Sequence, residues 1–130
     1  MFVHTPQHDF YTKLGEKALK ENVTFDVYLG VPHSSESIDL ASLSKAVQIT
    51  GGDIVYFSRF NAQRHAEKLY YELFRNISRP VGTDVAIKAR CSTGFTVTQY
   101  FGSFGLHESV DFHLSSIHSD KSFGFTLRND

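Results

Sequence analysis

The chain has 130 residues, 41% of them hydrophobic, and a formal net charge of -1 from 13 basic and 14 acidic residues. This composition predicts one soluble domain or two partial ones, and the near-neutral charge argues against nucleic acid as a partner. Neither a signal peptide nor a spanning helix is predicted, which favours the cytosol. The single cysteine, Cys91, excludes an internal disulfide and a multi-thiolate zinc site within the chain.

The first 80 residues alternate between helical and extended patterns. Helices are predicted over 6–22, 39–51 and 61–79, and short buried strands over 24–29 and 54–57, with a polar loop at 32–37. Asp39 and Asn61 are suitable N-caps, and Gly51-Gly52 is a suitable helix stop. This α-β-α-β-α order favours a parallel sheet covered by helices.

From about Gly82 onwards the pattern has a period of two. Apolar residues alternate with polar ones over 85–91, 95–101 and 123–127, with glycines between these runs, which is typical of antiparallel strands. We therefore predict an α/β half at 1–82 and an all-β half at 83–130. Each half is small for an independent core, so we expect a segment of a larger protein.

Catalytic and metal-binding motifs are weak. The sequence has no G-x-S-x-G, Walker, H-E-x-x-H or G-x-G-x-x-G pattern. His4 and His8 lack a third ligand, and surface positions in a polar connection explain His107, His113 and His118 better than a metal site does. The loop at 33–37 has one carboxylate, too few for a hard cation. Cys91 falls on the apolar side of its predicted strand, where a thiol usually acts as a small hydrophobic group.

Lys88 and Arg90 are the strongest candidate site residues. Their spacing by two places both side chains on one side of an extended chain, opposite Val85, Ile87 and Ala89. Arginine offers a two-pronged donor and lysine a point charge, a combination that suits acidic peptides. The competing interpretation is a strand made soluble by cations.

Several segments in succession resemble the cargo-adaptor subunit of the COPII vesicle coat, the Sec24 family. They are FYTKL at 10–14, IDLASL at 38–43, TGGDIVYF at 50–57 with FN at 60–61, and KARCSTGF at 88–95. The later YFGSF at 100–104, DF at 111–112 and FGF at 123–125 continue the resemblance in order. The DLASL helix and the KARCSTG strand are similar to the adaptor and not to its sister subunit, Sec23. The turn after Phe57 lacks the proline that is common in the family at this point.

The resemblance implies a partial von Willebrand A-like (Rossmann-like) trunk followed by the first strands of an antiparallel β-sandwich. It implies a non-enzymatic coat subunit that selects cargo for transport from the endoplasmic reticulum to the Golgi. The implied partners are the Sec23 subunit and acidic cytoplasmic tails of membrane cargo, with peripheral attachment at exit sites and on vesicles. No cofactor is expected in this segment, because the family's zinc finger lies outside it.

In the family, two arginines of the basic strand bind acidic sorting signals, and Lys88 and Arg90 match their positions. Lysine at 88 would lose the bidentate pairing that arginine provides.

Two alternatives stay open beside the adaptor. One is a stand-alone von Willebrand A-like protein-binding module, although no D-x-S-x-S motif is present. The other is a small hydrolase that uses Cys91 or a serine with a histidine. We also expect that unpaired strand edges favour a homodimer or a domain swap of this chain.

Overall fold

The computed structural model describes residues 9–31, 38–106 and 112–129. The helices are α1 (Asp9–Lys20), α2 (Leu40–Thr50) and α3 (Ala62–Ser78). The strands are β1 (Val27–Val31), β2 (Ile54–Ser58), β3 (Val81–Ile87), β4 (Phe95–Phe101), β5 (Gly105–Leu106), β6 (Phe112–His118) and β7 (Gly124–Asn129). Helices thus alternate with parallel strands before the chain becomes antiparallel, and the predicted fold class is confirmed.

Helix α2 begins and ends where the capping residues predict. The Asp39 carboxylate accepts a hydrogen bond from the Ser42 N–H at 3.0 Å, which satisfies one of the free donors of the first turn. Gly51 closes the helix in the left-handed region at φ 78°. Between the caps, buried Ala46 and Val47 form the inner side of the helix.

Strands β1 and β2 form a two-stranded parallel sheet. Their register pairs Val27 with Ile54 and Val31 with Ser58. Strand β1 starts three residues later than the sequence predicts, because residues 24–26 form hydrogen bonds outside the ladder with β2. The Phe25 N–H donates to Thr50 Oγ1 at 3.1 Å, and Asp26 Oδ1 accepts from the Asp53 N–H at 2.7 Å.

The second half of the chain forms two antiparallel sheets, ordered β3-β6-β5 and β4-β7. The pairing of β4 with β7 shifts register between Val97 and Gln99, which is typical of a bulge. Strand β6 is a correction to the sequence analysis, which placed His113 and His118 in a polar connection. Serine and histidine interrupt the alternation of β6, although Phe112 and Leu114 are buried in it.

The two halves of the chain share one core, in which α2 packs against β5 and β6. Leu114 of β6 is 1% exposed and lies against Gly51, where a Cβ would come within 2.7 Å of the leucine side chain. Thr24 Oγ1 also donates to Ser116 Oγ at 2.8 Å across the halves. The β half therefore packs against the helices and hydrogen-bonds to the α/β half, in addition to being continuous with it in the chain.

The apolar side of α3 does not enter this core, contrary to its helical pattern. Among the residues predicted to share one apolar face, Leu69 is half-buried, whereas Tyr70, Leu73 and Ile77 are exposed. The strands contact the neighbouring side of the helix instead. Tyr28 Oη of β1, for example, donates to the Glu72 carbonyl at 3.4 Å.

Candidate functional site

Lys88 and Arg90 follow directly after strand β3, and we call residues 88–90 the basic segment. The ladder between β3 and β6 ends with Ile87 opposite Phe112, one residue before Lys88. The predicted strand over 85–91 is therefore paired only as far as Ile87. Lys88 and Arg90 are both exposed and Ala89 between them is half-buried, so the alternation of exposure continues beyond the paired strand.

An aromatic cluster lies at the end of β3 from which this segment departs. Phe112 is 4% exposed and packs on Tyr100, Phe104 and Phe123, with ring centroids 5.4, 4.4 and 5.4 Å away. These rings come from β4, from the segment after it and from the turn before β7. The cluster anchors the first end of the basic segment, because Ile87 pairs with the buried Phe112.

A turn fixes the other end of the basic segment. The Phe95 N–H donates to the Ser92 carbonyl at 3.2 Å, and Gly94 adopts φ 93°, which a residue with a Cβ rarely does. The two cations are thus carried on a short solvent-facing connection that is held at both ends. Such a surface can attract carboxylates electrostatically, and Arg90 can donate two parallel hydrogen bonds to one of them.

Cys91 is exposed, which corrects its predicted place on an apolar strand face. The prediction failed because strand pairing stops at Ile87, and the chain after Arg90 turns towards β4. The thiol therefore contributes nothing to the core.

The other candidates from the sequence do not assemble into a site among the described residues. His4, His8, the 33–37 loop and His107 lie outside those residues. Within the described ranges, no group of three or more histidine, cysteine or carboxylate side chains is placed to hold a metal ion. His113 and His118 belong to β6, where His113 pairs with Ala86 and His118 with Val81.

A cluster of charged residues joins the helices to the β half, and sequence reasoning missed it. Asp53, which precedes β2, receives hydrogen bonds from Arg79 and Lys121, each at 2.7 Å. His118 Nε2 lies 2.9 Å from Asp53 Oδ2 but without hydrogen-bond alignment. Arg79 also reaches Asp120 at 3.3 Å. We call these five residues the Asp53 junction.

Burial and charge set the protonation of the junction. Burial opposes ionisation of Asp53, yet the hydrogen bonds from Lys121 and Arg79 hold its pKa below the usual value. Burial lowers the pKa of His118, and the attraction of Asp53 only partly offsets this effect. The neutral ring carries its proton on Nε2, since Nδ1 accepts from the Asp120 N–H at 3.2 Å.

Arg75, which is solvent-exposed, extends the junction outwards from Asp120. Arg75 of α3 forms an ion pair with Asp120 through both carboxylate oxygens. These hydrogen bonds from Arg75 are the main cause that lowers the pKa of Asp120 to about 2. Asp53 and Asp120 together engage Arg75, Arg79 and Lys121, so these charges pair with one another within the fold and hold its segments together.

No helix in the described ranges is both long and apolar enough to cross a membrane.

The family of the chain follows from its match to the Sec23/Sec24 trunk domain, which extends over residues 2–77. The match ends at the last turn of α3, so it covers the α/β half and stops before the strands that carry the basic segment.

Individual relatives extend the likeness into the β half. The human protein transport protein Sec24C is 26% identical over 125 residues, which cover 96% of this chain and 11% of that protein. Protein transport protein SEC24 B of Arabidopsis thaliana is 37% identical over 93 residues, which cover 72% of this chain and 8% of that protein. The SED5-binding protein 3 of Saccharomyces cerevisiae is 34% identical over 92 residues, covering 71% of this chain and 10% of that protein.

A solved structure shares the fold. The crystal structure of the human COPII-coat protein Sec24c superimposes with a TM-score of 0.84 at 23% identity, covering 98% of this chain and 16% of that one. The chain thus spans about a tenth of the length of the curated relatives it matches. The resemblance that the ordered motifs indicate is confirmed, and the chain belongs to the Sec23/Sec24 trunk family, on its Sec24 side.

Proposed function

We propose that the chain is part of a COPII coat subunit that selects membrane cargo for transport from the endoplasmic reticulum to the Golgi, without catalytic activity. Its family and the names of its relatives, protein transport proteins and a COPII-coat protein, support this proposal. The proposal includes peripheral attachment of the protein to the cytoplasmic side of exit-site and vesicle membranes and its pairing with a Sec23 subunit.

Within this function, Lys88 and Arg90 bind acidic residues in the cytoplasmic tails of cargo. The observation that carries the assignment is the exposure of both cations on either side of half-buried Ala89. Residues two apart in an extended chain lie about 7 Å from each other on one side. An extended peptide with two carboxylates at the same spacing therefore matches the pair.

The expected affinity is low, because exposed ion pairs are screened by water and salt. Each such pair contributes roughly 0.2–1 kcal/mol, so two pairs change the affinity by about tenfold. Arg90 supplies the directional hydrogen bonds and Lys88 the point charge.

The test compares two double charge reversals in peptide binding. Fluorescence anisotropy measures a labelled peptide with two glutamates spaced by one residue, and a lysine version of it, at low and physiological salt. Lys88→Glu with Arg90→Glu is expected to weaken binding of the acidic peptide about tenfold. Lys13→Glu with Lys17→Glu, on the exposed side of α1, makes the same change in net charge and is expected to leave binding unchanged.

Three outcomes contradict the proposal. If the wild-type chain binds the acidic and lysine peptides equally, it has no acidic-signal site. If both double variants weaken binding alike, net charge and not the basic segment accounts for the affinity. Pairing is tested separately by size-exclusion chromatography with purified Sec23, and independent elution of the two proteins contradicts that part of the proposal.

A further inference from the structure

A serine follows the basic segment by two residues, in the connection between β3 and β4. This residue, Ser92, is exposed and lies outside the helices and strands of the described ranges. The ladder of β3 ends at Ile87, and the ladder of β4 begins at Phe95, which pairs with Asn129. An enzyme can therefore bind the residues just before Ser92 without separating a pair of strands.

The charges before Ser92 form the pattern of a substrate for basophilic protein kinases. Arg90 lies two residues before the serine, and Lys88 lies four residues before it. Kinases distinguish their substrates by charge, and a basophilic kinase binds the cations before the serine in acidic pockets. Both cations are exposed, so these pockets can reach them together with the serine hydroxyl.

Ser78 has a related charge pattern but different surroundings. Arg75 lies three residues before it, yet Arg75 forms an ion pair with Asp120. Ser78 is the last residue of α3, and its hydroxyl donates to the Phe74 carbonyl at 2.6 Å. A kinase would have to break both contacts and unwind the end of the helix. The structure therefore favours Ser92 over Ser78 as a phosphate acceptor.

We propose that Ser92 is phosphorylated by a basophilic serine/threonine kinase, and that the phosphate blocks the binding of acidic tails to Lys88 and Arg90. The second part of this inference rests on the proposed function. In the reaction, the Ser92 hydroxyl oxygen bonds to the γ-phosphorus of ATP, the bond from this phosphorus to the β-phosphate oxygen breaks, and ADP leaves. The hydroxyl proton passes to the catalytic aspartate of the kinase.

The phosphate would neutralise the basic segment from within the chain. A phosphoserine carries a charge of about -1.5 to -2 at neutral pH, which is enough to offset two cations. The Cα atoms of Arg90 and Ser92 lie at most about 7 Å apart, so the guanidinium can reach the phosphate and donate two parallel hydrogen bonds. An anion in the same chain has a high effective concentration, and it therefore competes well against the carboxylates of a separate peptide.

Phosphate mapping on the complete 130-residue chain tests the modification. The chain is incubated with ATP and a purified basophilic kinase that accepts R-x-S substrates, and tandem mass spectrometry identifies the phosphorylated residue. Phosphate is expected mainly on Ser92. Arg90→Gln is expected to slow the reaction about tenfold or more, because the kinase loses a charged hydrogen bond. The matched control, Arg64→Gln, removes an exposed cation of α3 and should leave the rate unchanged.

Far-UV circular dichroism verifies that both variants keep their helices. Phosphate mainly on Ser78 or on Thr93 would overturn the inference, and so would a chain that the kinase leaves unmodified. An equal rate for Arg90→Gln and Arg64→Gln would contradict the recognition of the basic segment by the kinase.

The effect of the phosphate is tested on a chain that carries phosphoserine at position 92, incorporated during translation. Its affinity for the labelled two-glutamate peptide is expected to be about tenfold lower than that of the unmodified chain. Equal affinities would overturn the blocking effect, while binding by the unmodified chain would still support the proposed function.

A ³¹P NMR titration gives a readout that does not depend on peptide binding. Contact with the Arg90 guanidinium should lower the second pKa of the phosphate below its value in the same phosphorylated chain with Arg90→Gln. Equal pKa values in the two chains would contradict the contact. If the unmodified chain does not bind the acidic peptide, the proposed function fails, and the mapping and the titration still decide whether Ser92 is modified and whether its phosphate contacts Arg90.

Discussion

Replacement of Asp53 by asparagine tests whether the Asp53 junction holds the two halves of the chain together. The substitution keeps the size and one carbonyl oxygen of the side chain but removes the negative charge. It leaves Arg79 and Lys121, whose side chains are 10% and 9% exposed, without the carboxylate that both contact at 2.7 Å. Two nearly buried cations beside neutral His118 would then have too little countercharge.

The structure bounds the size of this effect. Removing one partner of a buried ion pair typically costs 3–5 kcal/mol, because the remaining charge stays desolvated. Asp53 is 34% exposed, and Asp120 still contacts Arg79, so water and a second carboxylate reduce the penalty. We therefore expect Asp53→Asn to lower the free energy of unfolding by about 2–3 kcal/mol.

Urea denaturation at fixed protein concentration measures this loss. Glu67→Gln makes the same charge change on the exposed part of α3 and is expected to lie within about 0.5 kcal/mol of wild type. Adding Lys121→Met to Asp53→Asn removes the cation that the first substitution leaves without a carboxylate, and it should recover part of the stability. Equal stabilities of Asp53→Asn and Glu67→Gln would contradict a stabilising role of the junction, and so would additive destabilisation by the two junction substitutions.

Two further predictions concern the same region. Burial lowers the pKa of His118 below its usual value of 6.5. The stability that the neutral ring contributes is therefore full above pH 6.5 and falls as the pH drops through the folded-state pKa. His118→Gln should remove this loss from urea midpoints measured below pH 6.5. A Cβ on Gly52 would lie 1.9 Å from the Phe25 carbonyl oxygen, so Gly52→Ala should destabilise by about 3 kcal/mol or more in thermal unfolding. Gly124→Ala, whose Cβ meets its nearest atom at 3.7 Å, is the control and should change stability by less than about 1 kcal/mol.

Local signals in the sequence predicted the α/β half well. Asp39 and Gly51 each satisfy backbone groups within a few residues of themselves, so a short window of sequence contains the whole interaction. The parallel pairing of β1 with β2 followed from the helix between them, since a crossover of this length returns the chain in the same direction. Strand β6 was missed because its stability comes from distant contacts of Phe112 and Leu114 and not from its own alternation.

The helical pattern of α3 predicted its apolar face correctly but not the surroundings of that face. Amphipathic spacing indicates which residues share an apolar face, but it does not indicate which element covers that face. In the described structure Leu69 is half-buried, while Ile77 is 80% exposed.

The Asp53 junction could not be predicted because its members are far apart in sequence. Lys121 lies 68 residues from Asp53, and Arg79 lies 26 residues from it. Each charge alone looks like an ordinary surface residue, and only the fold brings them within hydrogen-bonding distance. A sequence pattern reveals pairs such as Lys88 and Arg90, which are two residues apart. It does not reveal pairs of residues that are distant in sequence and meet only in the folded chain.

The positions of these two sets of charges bear on the proposed binding of acidic tails. Arg79 and His118 fix one end of the β3-β6 ladder to the helices, where Val81 pairs with His118. The basic segment leaves the other end of the same ladder, after Ile87. A strand anchored at its start presents the cations that follow it in a constant position relative to the α/β half. Preorganisation of this kind would lower the entropic cost of the proposed binding of a flexible acidic tail, which matters most when each ion pair contributes little.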